Sequence, residues 1–197
     1  MKDTYTYLIG DNLYINLTNR CSNRCRFCVR DLSAEYEGYR LWLQNGEPTI
    51  GQITGEIGDA SRYREIVFCG YGEPTYRLNE LKEIADYVHG KGGKTRLNTN
   101  GHGSVINGRN IAPELVGKLD GVNISLNAPD AAAYGALCRP QISGAFDAVV
   151  DFGKAAKAAG LNAWFSVVDC IGTEAVAACK AIADEVGIPL RVRELIE

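Results

Sequence analysis

The chain is expected to fold as one α/β domain, an open partial (βα)6 barrel of TIM type with parallel strands. Three observations predict it. Short β-branched runs alternate with segments of helical period, six such pairs can be counted, and the 197 residues fall short of the roughly 250 typical of a closed eight-unit barrel. The strand candidates, in order, are 13–18, 65–69, 94–99, 121–126, 162–168 and 190–193, each bounded by Gly, Asn or Asp. Between them, Leu78, Leu81, Ala85 and Val88 recur at helical spacing, as do Phe146, Val149, Val150 and Gly153, then Val176, Cys179, Ala183 and Val186. Each stripe is read as a helix face packed on the sheet.

Right-handed crossovers bring strand ends of one polarity to one rim, so the residues just after each strand share a mouth. They are polar or special: 18–28 after the first strand, Gly70-Tyr71-Gly72-Glu73-Pro74 after the second, Asn98 to Gly101 at the third. The fourth adds Ser125 and Asn127, the fifth Ser166 and Asp169, the sixth Arg193 and Glu194. The longest irregular segment, 29–48, carries Tyr36, Tyr39 and Trp42. It is read either as a lid over the mouth or as a cover for the open edge. With no internal repeat and no Pro/Ser-rich linker, residues 1–197 read as a single domain.

At 46% hydrophobic and 23% charged, the chain can bury a continuous core, which excludes a disordered tail. A formal net charge of -3 supplies no overall basic field, so nucleic acid is not an expected partner. No apolar run reaches bilayer length, and residues 1–12 lack a secretory pattern. A soluble cytoplasmic protein without membrane contact is expected.

Seven cysteines, an odd number, argue for thiol chemistry in a reducing compartment rather than disulfides. Cys21, Cys25 and Cys28 crowd into eight residues, while Cys69, Cys138, Cys170 and Cys179 stand apart. Thiolates suit zinc or iron–sulfur clusters. Closed zinc sites want four ligands, usually from two separated pairs. No second pair exists, so a fourth ligand would have to be His89, His102 or a distant cysteine. Three thiolates on an iron cluster instead leave one iron open to a further ligand.

The stretch Cys21-Ser-Asn-Arg-Cys25-Arg-Phe-Cys28, directly after a first strand, resembles the radical S-adenosylmethionine (radical SAM) superfamily. The resemblance implies a 4Fe–4S cluster on Cys21, Cys25 and Cys28, with its open iron chelated by the amino and carboxylate groups of SAM. One electron, from an external low-potential donor such as a flavodoxin or ferredoxin, would break a sulfonium bond. The 5′-deoxyadenosyl radical so released would abstract hydrogen from a substrate. In that family Phe27 matches an aromatic position near adenine, and Gly70, Gly72 and Glu73 match a Gly-x-Gly-Glu-Pro motif that receives the SAM amino group. Asn98, Asn100, Ser125 and Asn127 match positions binding ribose hydroxyls and carboxylate, and Arg139 matches a cation pairing with that carboxylate. Ile171 matches an apolar adenine contact in a late motif whose leading glycine is missing here. Arg20, Arg24, Arg26, Arg30 and Arg40 gather near the thiols, to offset an anionic cluster, to meet an acidic partner, or as a solvated loop.

The brevity, the cysteine signature and the Phe-Cys-Gly-Tyr-Gly-Glu-Pro-Thr stretch resemble the TatD-associated radical SAM proteins, which implies functional association with a TatD-type hydrolase. No auxiliary-cluster domain is expected, because the four isolated cysteines lack grouping and the chain ends directly after its sixth strand. Cys179, on a helical stripe, is read as a buried thiol. Cys138 and Cys170 lie in segments that can reach the rim, where a hydrogen-donating or covalent role is open. The alternatives are a glycyl-radical enzyme activase acting on a protein, a tRNA-modifying enzyme, and a non-catalytic iron–sulfur or zinc protein for redox sensing or docking.

Overall fold

The computed structural model describes residues 3–32 and 35–195. It opens with a hairpin of β1 (Thr6–Ile9) and β2 (Asn12–Ile15), paired antiparallel through a two-residue loop in which Gly10 takes φ +57°. After α1 (Val29–Leu32) and a small hairpin of β3 (Glu35–Tyr36) and β4 (Tyr39–Arg40) comes α2 (Ile50–Ile57), begun by a Thr49/Gln52 capping box. Strand and helix then alternate: β5 (Ile66–Phe68), α3 (Leu78–Gly90), β6 (Thr95–Thr99), the short α4 (Gly103–Ile106) and α5 (Ala112–Leu115), and β7 (Gly121–Ser125). The chain continues through α6 (Ala131–Cys138), α7 (Ala145–Ala158), β8 (Ala163–Val168), α8 (Thr173–Val186) and β9 (Leu190–Arg193).

The main sheet runs β1-β2-β5-β6-β7-β8-β9, and every pairing after β1–β2 is parallel. The six expected strands are its parallel members, so the open partial barrel stands. β1 is an addition. It belongs to no strand-helix unit, and four residues closing on a Gly-Asp turn carry little period of their own.

Alternate strand residues face opposite sides of the sheet. One set, including Leu13, Ile15, Phe68, Leu97, Ile124 and Phe165, is buried against the helices. The stripes on α3 and α8 meet it with Leu81, Ala85, Val88, Cys179 and Ala183, all fully buried, as their spacing predicts. On α7 the buried face is Val149, Phe152, Gly153 and Ala156, with Phe146 and Val150 only partly covered. A side chain at Gly153 would stand 2.4 Å from the Phe165 ring, so glycine there sets how closely α7 approaches the sheet. The other face of the sheet is concave and polar, and the site lies on it and above it.

The described residues of segment 29–48 pack beside β1 and β2. Leu41 joins Tyr7 and Tyr71 in a second small core, against which Tyr36 and Tyr39 pack, while Leu43 enters the main core. Trp42 stays 44% exposed. Val29, Tyr36 and Leu41 line the depression beside Cys69 and Gly70, so the segment packs beside β1 and β2 and also forms one wall of the mouth. Among the described residues no helix is long and apolar enough to cross a membrane.

Candidate functional site

The loop leaving β2 carries Cys21, Cys25 and Cys28, all part-buried free thiols. Backbone bonds hold it to the end of α6: Arg24 N–H donates to the Cys138 carbonyl at 3.0 Å, Arg26 N–H to Leu137 at 2.9 Å, and Gln141 N–H to Ser22 at 2.8 Å. Arg139 makes this docking surface by taking a left-handed φ of +45° as the C-cap of α6, and its side chain is exposed.

Beneath the loop runs a buried hydrogen-bond chain that no motif announced. The Asn100 amide donates to Ser22 Oγ at 2.9 Å, and Ser22 lies 2.9 Å from His102 Nδ1. His102 Nε2 lies 3.1 Å from the Ala145 carbonyl. A carbonyl only accepts, so Nε2 carries the hydrogen and Nδ1 accepts from the Ser22 hydroxyl. The Asn23 amide donates to the Tyr134 hydroxyl at 2.9 Å, which also sits 3.2 Å from His102 Nε2. His102 is fully buried, and burial draws its pKa down to about 4.

A histidine whose folded pKa is depressed contributes stability that is complete above its unfolded value of 6.5 and is lost as pH falls toward 4. The gap corresponds to on the order of 3 kcal/mol. Acid melts of the parent are therefore expected to lose stability steeply over that window, and His102→Gln to flatten the loss. Parallel acid limbs for the two proteins would refute a supporting role for the buried histidine beneath the loop.

Neither histidine is set to join the thiols. His102 has both nitrogens engaged, and His89 lies 3.0 Å from Asp120 and 3.2 Å from Thr95, at the starts of β7 and β6 and so at the strand ends opposite the thiol loop. Among the described residues no group of three or more His, Cys, Asp or Glu side chains closes around a single ion.

The three thiols share one cation. Arg30, whose side chain is 11% exposed, favours the thiolate of all three and is fixed by the Asn23 and Tyr71 carbonyls at 3.1 and 3.5 Å. Burial outweighs it: Cys21 is pushed up to about 11. Cys25 is pushed above the usual thiol range, first by its hydrogen bond with the fully buried Cys138 and then by burial. Cys138 in turn receives the Asn127 amide at 3.6 Å. Three soft donors on one short loop, with a cation among them, fit a metal that displaces their protons, as the irons of a cluster do. Of the other arginines, Arg20 pairs with Glu47 and lies over Tyr76, while Arg24 and Arg26 are exposed.

The second rim loop presses against the first. A Cβ at Gly70 would stand 2.2 Å from Asn16 Oδ1, and one at Gly72 would stand 2.3 Å from the Thr18 carbonyl. Both glycines are thus required by the approach of one rim loop to the other. Gly72→Ala is expected to cost about 1–3 kcal/mol and to displace the loop, read as a lowered melting temperature. A variant as stable as the parent would contradict the contact.

Glu73 is 3% exposed, and its carboxylate ties the loop after β5 to the end of β6. Its Oε1 accepts from Thr75 N–H at 3.1 Å, Thr75 Oγ1 at 2.7 Å and Thr99 Oγ1 at 2.9 Å, and its Oε2 accepts from Asn100 N–H at 2.7 Å. Burial raises its pKa, and those four bonds oppose the rise. Asn100 is committed to Ser22 and lies 3.7 Å from Cys21 Sγ. Asn98 Oδ1 accepts from Arg96 at 2.5 Å, on the concave face. Ser125 is half-buried at the end of β7. Asn127 takes φ +60°, is 4% exposed, and keeps a buried Oδ1 with no partner. Phe27 is half-buried on the cysteine loop, and Ile171 packs on the core in the turn after β8. Cys170 is exposed beside it.

The chain is similar to known proteins in sequence and in fold. The family model described as "Radical SAM superfamily" matches residues 15–175. A GTP 3',8-cyclase of Corynebacterium glutamicum is 33% identical over 162 residues, covering 78% of this chain and 40% of that protein. Among solved structures, Streptococcus suis SuiB bound to precursor peptide SuiA matches with TM-score 0.71 at 17% identity, over 95% of this chain and 40% of that one. Native anSMEcpe with bound AdoMet matches with TM-score 0.66 at 14% identity, over 93% and 51%. At such identities the two structures speak for the fold. The chain spans well under two thirds of each of these three relatives.

Proposed function

The chain belongs to the radical SAM superfamily, and on that basis we propose that it is an enzyme that cleaves SAM reductively to take a hydrogen atom from a substrate held in its concave face. The observation that carries this reading is the convergence of a three-thiol loop, the Arg30 cation and the Gly70–Glu73 loop at one end of the parallel strands. When bound, a reduced 4Fe–4S cluster supplies the electron that breaks the sulfonium bond of SAM, giving methionine and the 5′-deoxyadenosyl radical.

Cys21, Cys25 and Cys28 would hold three irons, and Arg30 would offset part of the added negative charge. The carbonyls of the Gly70–Gly72 loop would accept from the SAM amino group, with Glu73 fixing that loop to the end of β6. Asn127, with its unpartnered Oδ1, and the neighbouring Ser125 suit ribose hydroxyls, and Phe27 and Ile171 would flank the adenine. Asn100 acts as a positioning residue for Cys21, and Arg139 is free to turn toward the SAM carboxylate.

In this reading residues 1–197 act as one radical SAM core without an auxiliary cluster. A flavodoxin or ferredoxin supplies the electron, and the chain falls in the TatD-associated branch. The relatives' names include a GTP cyclase and a peptide-bound protein, so the superfamily transfers the chemistry and leaves the substrate open. Anaerobic reconstitution with iron and sulfide, then reduction with SAM present, tests the reading. About four irons per chain and 5′-deoxyadenosine are expected, and a colourless protein that leaves SAM intact refutes it. Physical contact with a TatD-type hydrolase is tested by coexpression and pull-down under reducing conditions, and recovery of no such hydrolase counts against the contact.

A further inference from the structure

The concave face carries more positive charge than its own carboxylates offset. Four arginines and two acidic residues line a depression of about 500 Å³ there. Both acids are taken: Glu65 pairs with Arg96 at 2.9 Å, and Asp120 with His89 at 3.0 Å. Among the described residues neither Arg191 nor Arg193 has an acidic partner. Arg191 lies 3.8 Å from the centroid of the Trp164 ring, which fixes the plane of its guanidinium and leaves the N–H edge available. Arg193, two residues on, shares its face of β9. Arg193 is exposed along β9, and partial loss of solvent around its guanidinium draws its pKa below the usual arginine range.

Two buried polar atoms beside them also lack partners. Asn123 is 6% and Ser166 0% exposed, yet Asn123 Oδ1 and Ser166 Oγ receive no hydrogen bond. The register explains the grouping: Asn123 pairs with Trp164, Ser166 with Arg191, and Val168 with Arg193, so the four polar groups form a diagonal across β7, β8 and β9. Buried polar atoms are nearly always satisfied in native folds, and an amide oxygen needs a donor. A second depression of about 400 Å³ runs up past Cys69, Gly70 and Tyr71 to Val29, the residue after the third cysteine, and shares Arg96, Asn123 and Arg193 with the first. The trough is therefore continuous from the arginines to the thiol loop.

The geometry points to a binding site for a small substrate with an oxyanion, a phosphate ester or a carboxylate, anchored by Arg191 and Arg193 while its hydroxyl or amino groups donate to Asn123 Oδ1 and Ser166 Oγ. The fate of the bound molecule rests on the radical chemistry proposed above, whereas the anion binding rests on the trough alone.

Calorimetric titration of the full chain, with and without a reconstituted cluster, against ribose 5-phosphate, gluconate and unphosphorylated ribose tests it. Saturable binding of at least one anion is expected, with ribose at least tenfold weaker. Arg193→Gln and Arg191→Gln should each weaken the anion tenfold or more, and Arg193→Lys should restore part of the loss. The tighter of the two anions identifies phosphate or carboxylate as the source. Equal binding of ribose, no saturable binding of either anion, or unchanged affinity in glutamine variants that melt with the parent would overturn the site. SAM cleavage is scored in the same preparations. Cleavage without anion binding overturns this site alone, and anion binding without cleavage overturns the radical reading alone.

Discussion

Alanine at Cys21, Cys25 or Cys28 is expected to abolish 5′-deoxyadenosine formation and to strip most of the iron from the reconstituted protein. Each thiol supplies a third of the donor set, and the described residues offer no histidine to replace it. The loss should exceed the roughly 10–100-fold typical of residues that only support a ligand. Cys138→Ala provides the contrast. That thiol is fully buried, hydrogen-bonded to Cys25, and within reach of the Asn127 amide. It should leave iron content near the parent's and shift the cluster's reduction potential, because hydrogen bonds to ligating sulfur tune it. Iron analysis and an electrochemical titration separate the two classes. A Cys138→Ala protein as empty of iron as Cys25→Ala would mean that the site takes four protein thiols and leaves no iron open. Cys170 and Cys179 should be silent in both measurements, one being exposed and the other buried under α8.

Glu73→Ala should be the most destabilising single change at the rim. It removes the acceptor for four donors, two of them backbone N–H groups, that of Thr75 buried and that of Asn100 part-buried. Leaving buried donors unsatisfied costs about 1–3 kcal/mol for each group. A total of about 3 kcal/mol would already lower the melting temperature by roughly 6–12 °C for a chain of this size. Glu73→Gln keeps one acceptor oxygen and should recover part of the stability. SAM affinity should follow the same order, because on the proposed reading the loop that Glu73 fixes would meet the SAM amino group. If Glu73→Ala melted with the parent but lost SAM binding, the carboxylate would be a direct ligand rather than a positioning residue.

The parallel strands were legible because short β-branched runs bounded by Gly, Asn or Asp recur along the chain, and three of them are followed by a helical stripe whose Leu81, Val88 and Ala183 lie buried where their spacing places them. β1 was not, since four residues closing on a Gly-Asp turn carry little period of their own. Within the site, the three cysteines and the Gly70–Glu73 turn announce themselves by local spacing. What lies behind them does not. Ser22, His102 and Tyr134 meet across long sequence separations, and each alone is an ordinary residue type in an ordinary place. The polar diagonal from Asn123 to Arg193 is equally silent in the sequence. It exists only once the register of β7, β8 and β9 puts those side chains on one face. The roles of Gly70 and Gly72 also changed in meaning, because their lack of a side chain serves the contact between two rim loops.

The proposed chemistry turns on three thiolates leaving one iron open to SAM. Pulsed magnetic resonance probes that iron itself, on the reduced, reconstituted protein with SAM labelled with nitrogen-15 at its amino group and carbon-13 at its carboxylate. Coupling of both labels to the cluster spin is predicted, together with its loss when unlabelled SAM is exchanged in. A reduced cluster that shows neither coupling at saturating SAM would contradict an open iron.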